Sequence, residues 1–227
     1  MQNISKVSII IPCYSYAQYL DEAIQSALAQ SVPCEIIVVS DGAIDNSVEI
    51  AKKYPVIVLE KENGGLASAR NYGIAHATGE YIMSFDSDDI LKPCAVEEHL
   101  KYAEPDTIVT CGLIAFGSEN YTAYPIPATV SILLQTNCIY SNSLFSKKMW
   151  EDVGGFDESE IMREGWEDRM FWLEALIKGY KSVVSDRPCL LWRRHANTMS
   201  NSANKNADVL QKYIYTKGKK LLDMTIS

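Results

Sequence analysis

Short apolar runs alternate with stretches of helical periodicity over about the first 90 residues of the chain. Each run is rich in β-branched residues and apolar on both faces, which is typical of strands inside a parallel sheet. We predict four such strands, at Val7–Ile11, Glu35–Ser40, Val56–Leu59 and Tyr81–Phe85. Helices of about ten residues are predicted between them, so the pattern favours right-handed crossovers and a doubly wound sheet.

Turn and cap residues separate these elements. Pro12 is expected to stop the first strand, because proline has no N–H to donate to a neighbouring strand. Asp45-Asn46-Ser47 supplies N-cap residues for a helix that runs to about Tyr54. The third helix is predicted over residues 66–77, and Gly79 is expected to be its C-cap glycine.

The alternation becomes less regular after Pro93. Helices are predicted at Pro93–Ala103 and from about Glu164 to Lys178. Short strands are predicted at Thr107–Cys111, Leu113–Phe116, Leu144–Ser146, Ser182–Ser185 and Cys189–Trp192. The stretch Ser118–Asn137 has no readable pattern, so we expect a wall that sets specificity.

These elements predict an α/β fold with a mostly parallel, twisted sheet flanked by helices. A single domain is expected over residues 1–204, followed by a C-terminal helix over 205–227. Within the domain, residues 1–92 resemble a Rossmann-like nucleotide-binding half, and residues 93–204 form a second half.

Composition and charge exclude several functional classes. The chain has 227 residues, of which 47% are hydrophobic and 22% charged, as in a soluble globular protein. Its net charge of −8 repels a phosphate backbone, so we expect no nucleic-acid partner. Six cysteines without a CxxC pair predict a reducing, cytoplasmic location, and no signal peptide or membrane-spanning helix is expected.

Acidic residues follow two of the predicted strands, at the edge where open α/β sheets bind ligands. Asp41-Gly42 ends the second strand, and Asp86-Ser87-Asp88-Asp89 ends the fourth. Three carboxylates within four residues repel one another, and a divalent cation such as Mg²⁺ or Mn²⁺ relieves that repulsion. The alternatives are structural: an Asx turn at Asp41, a solvated acidic turn that caps the next helix, and an ordinary salt bridge at Arg70.

Glu167 and Asp168 lie in the first turn of the predicted helix near the C-terminal end of the domain. Acids at this position often only complement the helix dipole. This helix is apolar on more than one side, however, so its N-terminus is expected to lie in the wall of a site. A carboxylate there has the chemistry of a general base.

Taken together, the motifs resemble those of the family 2 glycosyltransferases, whose fold is the GT-A fold. The motifs are VSIIIPCY (7–14), SDGAIDNS (40–47), NGGLASARN (63–71), GEYIMSFDSDD (79–89), VGGFDE (153–158) and ED (167–168). Their order and spacing hold from residue 5 to about residue 200. The second motif departs from the family pattern, because Ala43 and Ile44 replace a hydroxyl pair.

The resemblance implies a role for each matching residue. A nucleoside pocket is implied for Pro12, Tyr14 and Asp41, contacts with base and phosphates for Arg70, and a ribose contact for Asp86. Metal ligation is implied for Asp88, and general base catalysis for Asp168. Glu167 and Arg194 are implied to bind substrate, and His195 to touch the metal or the diphosphate.

The activity implied is metal-dependent transfer of a sugar, with inversion, from a nucleotide-sugar donor to a glycan or lipid-linked acceptor in cell-surface polysaccharide synthesis. UDP is favoured as the nucleotide by resemblance alone. A non-catalytic nucleotide-sugar-binding protein and a sugar-1-phosphate nucleotidyltransferase are the alternatives, although the first strand lacks the glycine-rich phosphate loop of the latter.

The lysines of the C-terminal stretch raise a further possibility. Five lysines against two aspartates leave +3 beside several apolar residues: Lys205, Lys212, Lys217, Lys219 and Lys220 against Asp208 and Asp223. This pattern is compatible with a weak peripheral membrane contact. It is more typical of a helix that packs on its own domain and presents lysines to water, which is the favoured alternative.

Overall fold

The computed structural model describes residues 7–196 and 205–226, and its described residues build one nine-stranded sheet with helices on both faces. The strands are β1 Val7–Cys13, β2 Cys34–Asp41, β3 Ile57–Lys61, β4 Tyr81–Ser84, β5 Ile90–Leu91, β6 Thr107–Gly117, β7 Tyr121–Ala123, β8 Leu144–Ser146 and β9 Lys181–Arg194. The helices are α1 Ala17–Leu28, α2 Ser47–Ala51, α3 Leu66–His76, α4 Ala95–Leu100, α5 Val130–Leu133, α6 Lys147–Val153, α7 Glu167–Ile177 and α8 Ala207–Ile226, with a 3₁₀ helix at Glu160–Glu164.

The strand order is β3-β2-β1-β4-β8-β6-β9-β5, and β7 pairs with β6. β1 is parallel to β2 and to β4, and β2 is parallel to β3. β8 is antiparallel to β4 and to β6, whereas β6 and β9 are parallel. The predicted α/β fold with a mostly parallel sheet is confirmed. One sheet contains strands of both predicted halves, and the predicted boundary at residue 204 lies outside the described residues.

Successive residues of β1 point into two separate cores, as the two-residue period of a strand requires. Ile9 and Ile11 pack in the core beneath α1 and α4, whereas Ile10 packs in the core beneath α3 and α7. Pro12 does not end the strand, because the ladder with β4 ends at the Ile10–Ser84 pair. Beyond that pair β4 needs no N–H from β1, so proline is tolerated there.

The cap prediction for α2 is confirmed in part, and that for α3 is wrong. Asp45 Oδ1 accepts the Ser47 N–H at 3.1 Å, whereas the Asn46 side chain makes no cap hydrogen bond, and α2 ends at Ala51 rather than near Tyr54. Gly79 does not cap α3, which ends in an extended residue at Ala77. The Gly79 N–H instead donates to Ser8 Oγ at 2.9 Å, so this glycine ties the α3–β4 connection to β1.

β6 and β9 are single long strands, whereas the sequence pattern predicts two short strands in place of each. Their pairing runs from Thr107–Lys181 to Gly117–Arg194, with register shifts around Gly112. Pro188 pairs with Gly112 within this irregular stretch, and the break in pattern there hid the continuity of both strands. The unpatterned stretch after β6 contains β7 and α5.

The C-terminal helix α8 packs on its own domain. Leu210 and Ile214 are buried, and a Cβ at Gly218 would lie 2.6 Å from Leu173 Cδ2. Lys217 Nζ donates to Asp157 at 2.8 Å. Burial alone would raise the pKa of Asp157, but hydrogen bonds led by that from Lys217 lower it to about 2. Among the described residues, no helix is long and apolar enough to cross a membrane.

Candidate active site

A cavity of about 560 Å³ opens at the carboxyl ends of β1, β2 and β4. Eight of the ten predicted site residues line it: Pro12, Tyr14, Asp41, Arg70, Asp86, Asp88, Glu167 and Asp168. The other two, Arg194 and His195, are not among its described lining residues. The sheet thus gathers most of the predicted site at one edge, as expected for an open α/β fold.

Arg70 is the buried cation at the centre of this edge, with a side chain that is 2% exposed. Its guanidinium donates to Ser84 Oγ at 3.2 Å, to Asp86 Oδ1 at 2.8 Å and to Glu167 Oε1. Burial alone would lower the pKa of Arg70, but Glu167 and Asp86 outweigh it and raise that pKa. A permanently charged arginine therefore joins α3, the end of β4 and the start of α7.

Asp41 organises the turn that precedes α3. Its carboxylate accepts hydrogen bonds from Lys61 Nζ at 2.8 Å and from the N–H groups of Gly64 and Gly65 at 2.9 and 2.8 Å. Gly65 has φ of 89°, a conformation that favours glycine. Asp41 is thus more than a local Asx turn, because it holds a loop more than 20 residues away. Its contact with a nucleobase stays a prediction.

The three acids of the DSDD sequence face different partners. Asp86 pairs with Arg70, Asp88 Oδ2 lies 3.0 Å from His195 Nε2, and Asp89 accepts the Arg193 N–H at 2.8 Å. Burial, with Asp86 nearby, raises the pKa of Asp88, and burial raises that of Asp89 well above its usual value. Asp86 and Asp88 both line the cavity, but Asp86 is paired with Arg70, so Asp88 is the acid of this group that is better placed to meet a cation there.

Asp168 lies at the cavity wall in the first turn of α7. Its carboxylate accepts hydrogen bonds from Asn137 Nδ2 at 3.0 Å and from the Arg169 N–H at 2.7 Å. Burial raises the pKa of Asp168, and Arg70 opposes the shift. Burial likewise raises the pKa of Glu167, against the opposing charge of Arg70. An oriented carboxylate with a raised pKa has the chemistry of a proton acceptor.

Arg193 and Arg194 at the end of β9, and His195 directly after it, lie in two different environments. His195 reaches Asp88, and Arg193 Nε donates to the Asp88 carbonyl at 2.7 Å. The Arg194 guanidinium instead lies 4.2 Å from the ring centroid of Trp192 and donates to Glu119 at 3.3 Å. Trp192 lines the cavity, so Arg194 supports its wall from behind. The predicted contact of Arg194 with substrate stays a prediction.

Two non-glycine residues with positive φ flank the cavity in the described part of the chain, Ser15 at 55° and Trp166 at 63°. Ser15 follows the end of β1, and Trp166 begins α7 directly before Glu167. Such backbone costs about 1–3 kcal/mol and persists only where its surroundings enforce it. These strained turns direct the end of β1 and the start of α7 toward the same cavity.

Several lining residues were not predicted individually. They are Tyr16, Asn63, Tyr121, Asn137, Tyr140, Ser141, Arg163, Trp166 and Trp192. Asn137 and Tyr121 belong to the stretch expected to form a specificity wall, whose sequence gives no residue-level signal. Arg163 donates to the carbonyls of Gly64 and Asn63 at 3.1 and 3.2 Å. These residues are about 100 positions apart in sequence, and no local motif predicts the contact.

Comparison with known proteins places this geometry in context. The sequence model of a family described as "Glycosyl transferase family 2" matches residues 8–156. An uncharacterized glycosyltransferase of Rickettsia prowazekii is 42% identical over 221 residues, which cover 87% of this chain and 66% of the relative. A second one, from Rickettsia typhi, is 42% identical over 125 residues, which cover 52% of this chain and 39% of that protein. The chain therefore spans only part of these relatives.

Chondroitin synthase of Pasteurella multocida is 34% identical over 171 residues, which cover 70% of this chain and 18% of that enzyme. Among solved structures, S. aureus TarS 1–349 in complex with UDP-GlcNAc has a TM-score of 0.74 at 19% identity, covering 97% of this chain and 71% of that chain. The mannosyltransferase PcManGT from Pyrobaculum calidifontis, in complex with GDP-Man and Mn²⁺, has a TM-score of 0.68 at 17% identity, covering 99% and 74%. These likenesses confirm the GT-A fold.

We expect Arg70→Met to lower the free energy of unfolding by about 3–5 kcal/mol, because it leaves buried carboxylates without their cation. Urea unfolding monitored by circular dichroism measures the change. Arg187→Met, which removes an exposed arginine of β9, is the matched control and should change stability by about 0.5 kcal/mol or less. Equal effects of the two substitutions would contradict a structural role for the Arg70 ion pairs.

Proposed function

The chain belongs to glycosyl transferase family 2, and we propose that it transfers a sugar from a nucleoside diphosphate sugar, with UDP preferred, to a hydroxyl of a glycan or lipid-linked acceptor. The transfer inverts the anomeric carbon and serves cell-surface polysaccharide synthesis. One observation carries the proposal: Asp88 and the half-buried carboxylate of Asp168 line the same cavity. The named activity of the chondroitin synthase relative and the UDP-GlcNAc complex of TarS support the donor and the product class.

In this proposal the donor binds on the side of the cavity that the carboxyl ends of β1 and β2 line. Pro12, Tyr14 and Asp41 lie on that side and bind the nucleoside. Arg70 and Asp86 lie between it and α7, where Arg70 faces the phosphates and Asp86 the ribose. These roles follow the family motifs, and the position of all five side chains in the cavity lining supports them.

The Asp88 carboxylate and the His195 ring nitrogen beside it can serve as ligands of a divalent cation. No group of three or more His, Cys, Asp or Glu side chains within residues 7–196 and 205–226 is spaced to hold a metal ion. Mg²⁺ and Mn²⁺ suit such a sparse site, since they bind through one or two protein ligands and complete their shells with water and phosphate oxygens. Asp88 and His195 would hold the ion. When bound, the cation supplies positive charge that stabilises the departing diphosphate.

The reaction is a single displacement in this proposal. Asp168 takes the proton of the acceptor hydroxyl while that oxygen attacks the anomeric carbon and the bond to the diphosphate breaks. Asn137 and the Arg169 N–H hold the carboxylate in place for this step. Glu167 keeps Arg70 at the donor side through its ion pair.

The acceptor binds on the side of the cavity that β6, β7 and β9 line. The described lining of that side combines aromatic and aliphatic side chains of these strands and their neighbours: Leu113, Tyr121, Ala123, Tyr140, Leu190 and Trp192. Aromatic faces pack well against the apolar faces of sugar rings and against lipid chains. This side therefore suits either class of acceptor.

Donor binding should depend on the metal. We expect UDP to raise the melting temperature more with Mn²⁺ or Mg²⁺ than with chelator, because ligand binding stabilises the folded state by mass action. Asp88→Ala should lose the metal-dependent part of the shift, while Asp223→Ala, on the exposed face of α8, should keep it. Equal shifts in the wild type and Asp88→Ala would remove Asp88 from the proposed metal site.

Asp168→Asn separates catalysis from donor binding. We expect turnover to fall by about 10² or more, since the amide cannot accept the proton, while UDP affinity stays within a few-fold. Because burial raises the pKa of Asp168, wild-type kcat/KM should fall as the pH drops through that raised pKa. Steady-state kinetics and UDP titration measure both quantities, with Asp223→Asn as the matched control.

Near-normal turnover of Asp168→Asn would reassign the base to Glu167 or to a residue of the 118–137 segment. A wild-type chain that binds UDP but transfers no sugar to any acceptor would favour the non-catalytic alternative. A pH profile unchanged by the Asp168→Asn substitution would also reject Asp168 as the proton acceptor.

The anomeric configuration of the product tests the displacement directly. One base opposite one leaving group permits a single in-line attack, so an α-linked donor should give a β-linked product. Proton NMR of the isolated product distinguishes the two linkages through the coupling of the anomeric proton. A product with the configuration of the donor would refute the single displacement.

A weak membrane contact through α8 is a separate proposal. Lys217 is held by Asp157 and Glu174, so three other lysines of α8 and Lys205 just before it, against two aspartates, leave a charge of +2 for the outer surface of residues 205–226. We expect salt-sensitive binding to vesicles that contain an anionic lipid, and loss of binding in a triple Lys212→Gln, Lys219→Gln, Lys220→Gln variant. Vesicle flotation at low salt measures it, and wild-type protein that stays unbound would leave α8 with its packing role only.

A further inference from the structure

Arg193, the next-to-last residue of β9, joins parts of the protein that are far apart in sequence. Its Nε donates to the Asp88 carbonyl at 2.7 Å, and its N–H donates to Asp89 Oδ1 at 2.8 Å. Its guanidinium also forms an ion pair with Glu22 of α1. The side chain is only 16% exposed, so most of it is buried against these neighbours. The proposed sugar transfer gives this residue no role.

Two aromatic rings fix the position of the Arg193 guanidinium. Its central carbon lies 4.8 Å from the centroid of the Tyr19 ring in α1 and 4.6 Å from that of the Phe116 ring in β6. A guanidinium packs well on aromatic faces, and its planar fork then presents N–H donors in fixed directions. A lysine at this position would keep the positive charge but would not reproduce the fork. The packing therefore favours arginine over lysine.

The DSDD sequence depends on the end of β9 for its position. β5 begins at Ile90, directly after this sequence, and its two residues pair with β9. On the N-terminal side of Ile90 the contacts to β9 come from Arg193, which holds the Asp88 carbonyl and the buried Asp89 carboxylate. A buried carboxylate needs such donors, because water does not reach it. Arg193 thus fixes the backbone at Asp88 from one side and the side chain of Asp89 from the other.

His195 shares this support. Its ring centroid lies 4.9 Å from that of Tyr19, the same ring that packs on Arg193. His195 Nε2 lies 3.0 Å from Asp88 Oδ2. Arg193 therefore supports both members of this pair. It holds the main chain of Asp88 directly, and it fixes the Tyr19 ring on which His195 packs.

The charges of the DSDD sequence leave one acid for an ion. Asp86 pairs with Arg70, and Asp89 is held by Arg193. Asp88 lines the cavity between them, and its side chain is 16% exposed. The two arginines thus occupy the outer acids of the sequence and orient the middle one toward the cavity.

We propose that Arg193 is a positioning residue that holds Asp88 and His195 in the geometry that binds a divalent cation. This inference rests on the proposed function, in which these two side chains are the ligands of the ion. Residues that hold metal ligands from behind commonly contribute about 10- to 100-fold to metal affinity. Without Arg193 the Asp88 carboxylate and the His195 ring are free to turn independently, which weakens binding although both ligands remain.

The experiment titrates the protein with Mn²⁺ at a fixed concentration of UDP and follows the free ion by electron paramagnetic resonance, with UDP alone as the blank. It requires neither acceptor nor turnover. We expect Arg193→Lys to raise the dissociation constant of Mn²⁺ by about 10- to 100-fold, because the variant keeps the charge and loses the fork. Arg187→Lys, at an exposed position of the same strand, is the matched control and should bind Mn²⁺ as the wild type does.

Tyr19→Leu is the second variant. It leaves Arg193 in place and removes the ring that Arg193 shares with His195. We expect it to raise the dissociation constant of Mn²⁺ by about tenfold. Wild-type affinity in Tyr19→Leu would overturn the inference even if Arg193→Lys failed to fold.

Two further measurements separate positioning from stability. Melting temperatures in chelator report the stability of each variant without the ion. The pH dependence of kcat/KM should be the same in Arg193→Lys and the wild type, because Asp168 is held by Asn137 and the Arg169 N–H. If Arg193 served the fold alone, the melting temperature would fall while the folded variant bound Mn²⁺ with wild-type affinity, and that result would overturn the inference.

The wild-type titration distinguishes this inference from the proposed function. Tight binding of Mn²⁺ by the wild type and equally tight binding by Arg193→Lys would reject the role of Arg193 and leave the proposed metal site intact. A wild type that binds no Mn²⁺ in the presence of UDP would instead refute that metal site, and the inference with it.

Discussion

A fully buried guanidinium stays charged only where carboxylates face it, and this requirement organises the site around Arg70. Arg70 belongs to α3, whereas its partners are Asp86 after β4 and Glu167 at the start of α7, which is 97 residues away in sequence. The three elements must therefore meet at one point. Because Glu167 is fixed by this ion pair, its neighbour Asp168 is held at the cavity wall. The strained turn at Trp166 directly precedes Glu167.

The continuity of the sheet connects the two ends of the site. β4 pairs with β1 on one side and with β8 on the other, so the parallel part carries over into the part that holds β6 and β9. β9 is 14 residues long and ends beside the DSDD sequence, where Asp89 accepts the Arg193 N–H. This length brings His195 within 3.0 Å of Asp88 across 107 residues of sequence.

The charges of the residues that line the cavity support the proposed cation. Asp41, Asp86, Asp88, Glu167 and Asp168 line the cavity, and Arg70 and Arg163 line it as well. Even with Lys61, which pairs with Asp41, three basic side chains do not balance five acids, and Arg70 is already paired with two of them. A diphosphate would be repelled by the remaining carboxylates unless further positive charge entered with it, which is the physical reason to expect a divalent ion at Asp88.

The sequence by itself determined the buried strands, their α/β alternation and the acids at strand ends, because β-branched runs and turn residues report local burial and chain reversal. It also indicated that α7 is buried, since that helix is apolar on several sides. It did not reveal the continuous β6 and β9, whose pattern is broken where Pro188 faces Gly112. Nor did it reveal the position of Arg194 over Trp192 or the Arg70–Glu167 pair. Such contacts join side chains that are distant in sequence, and only the packing of whole elements in the tertiary structure brings them together.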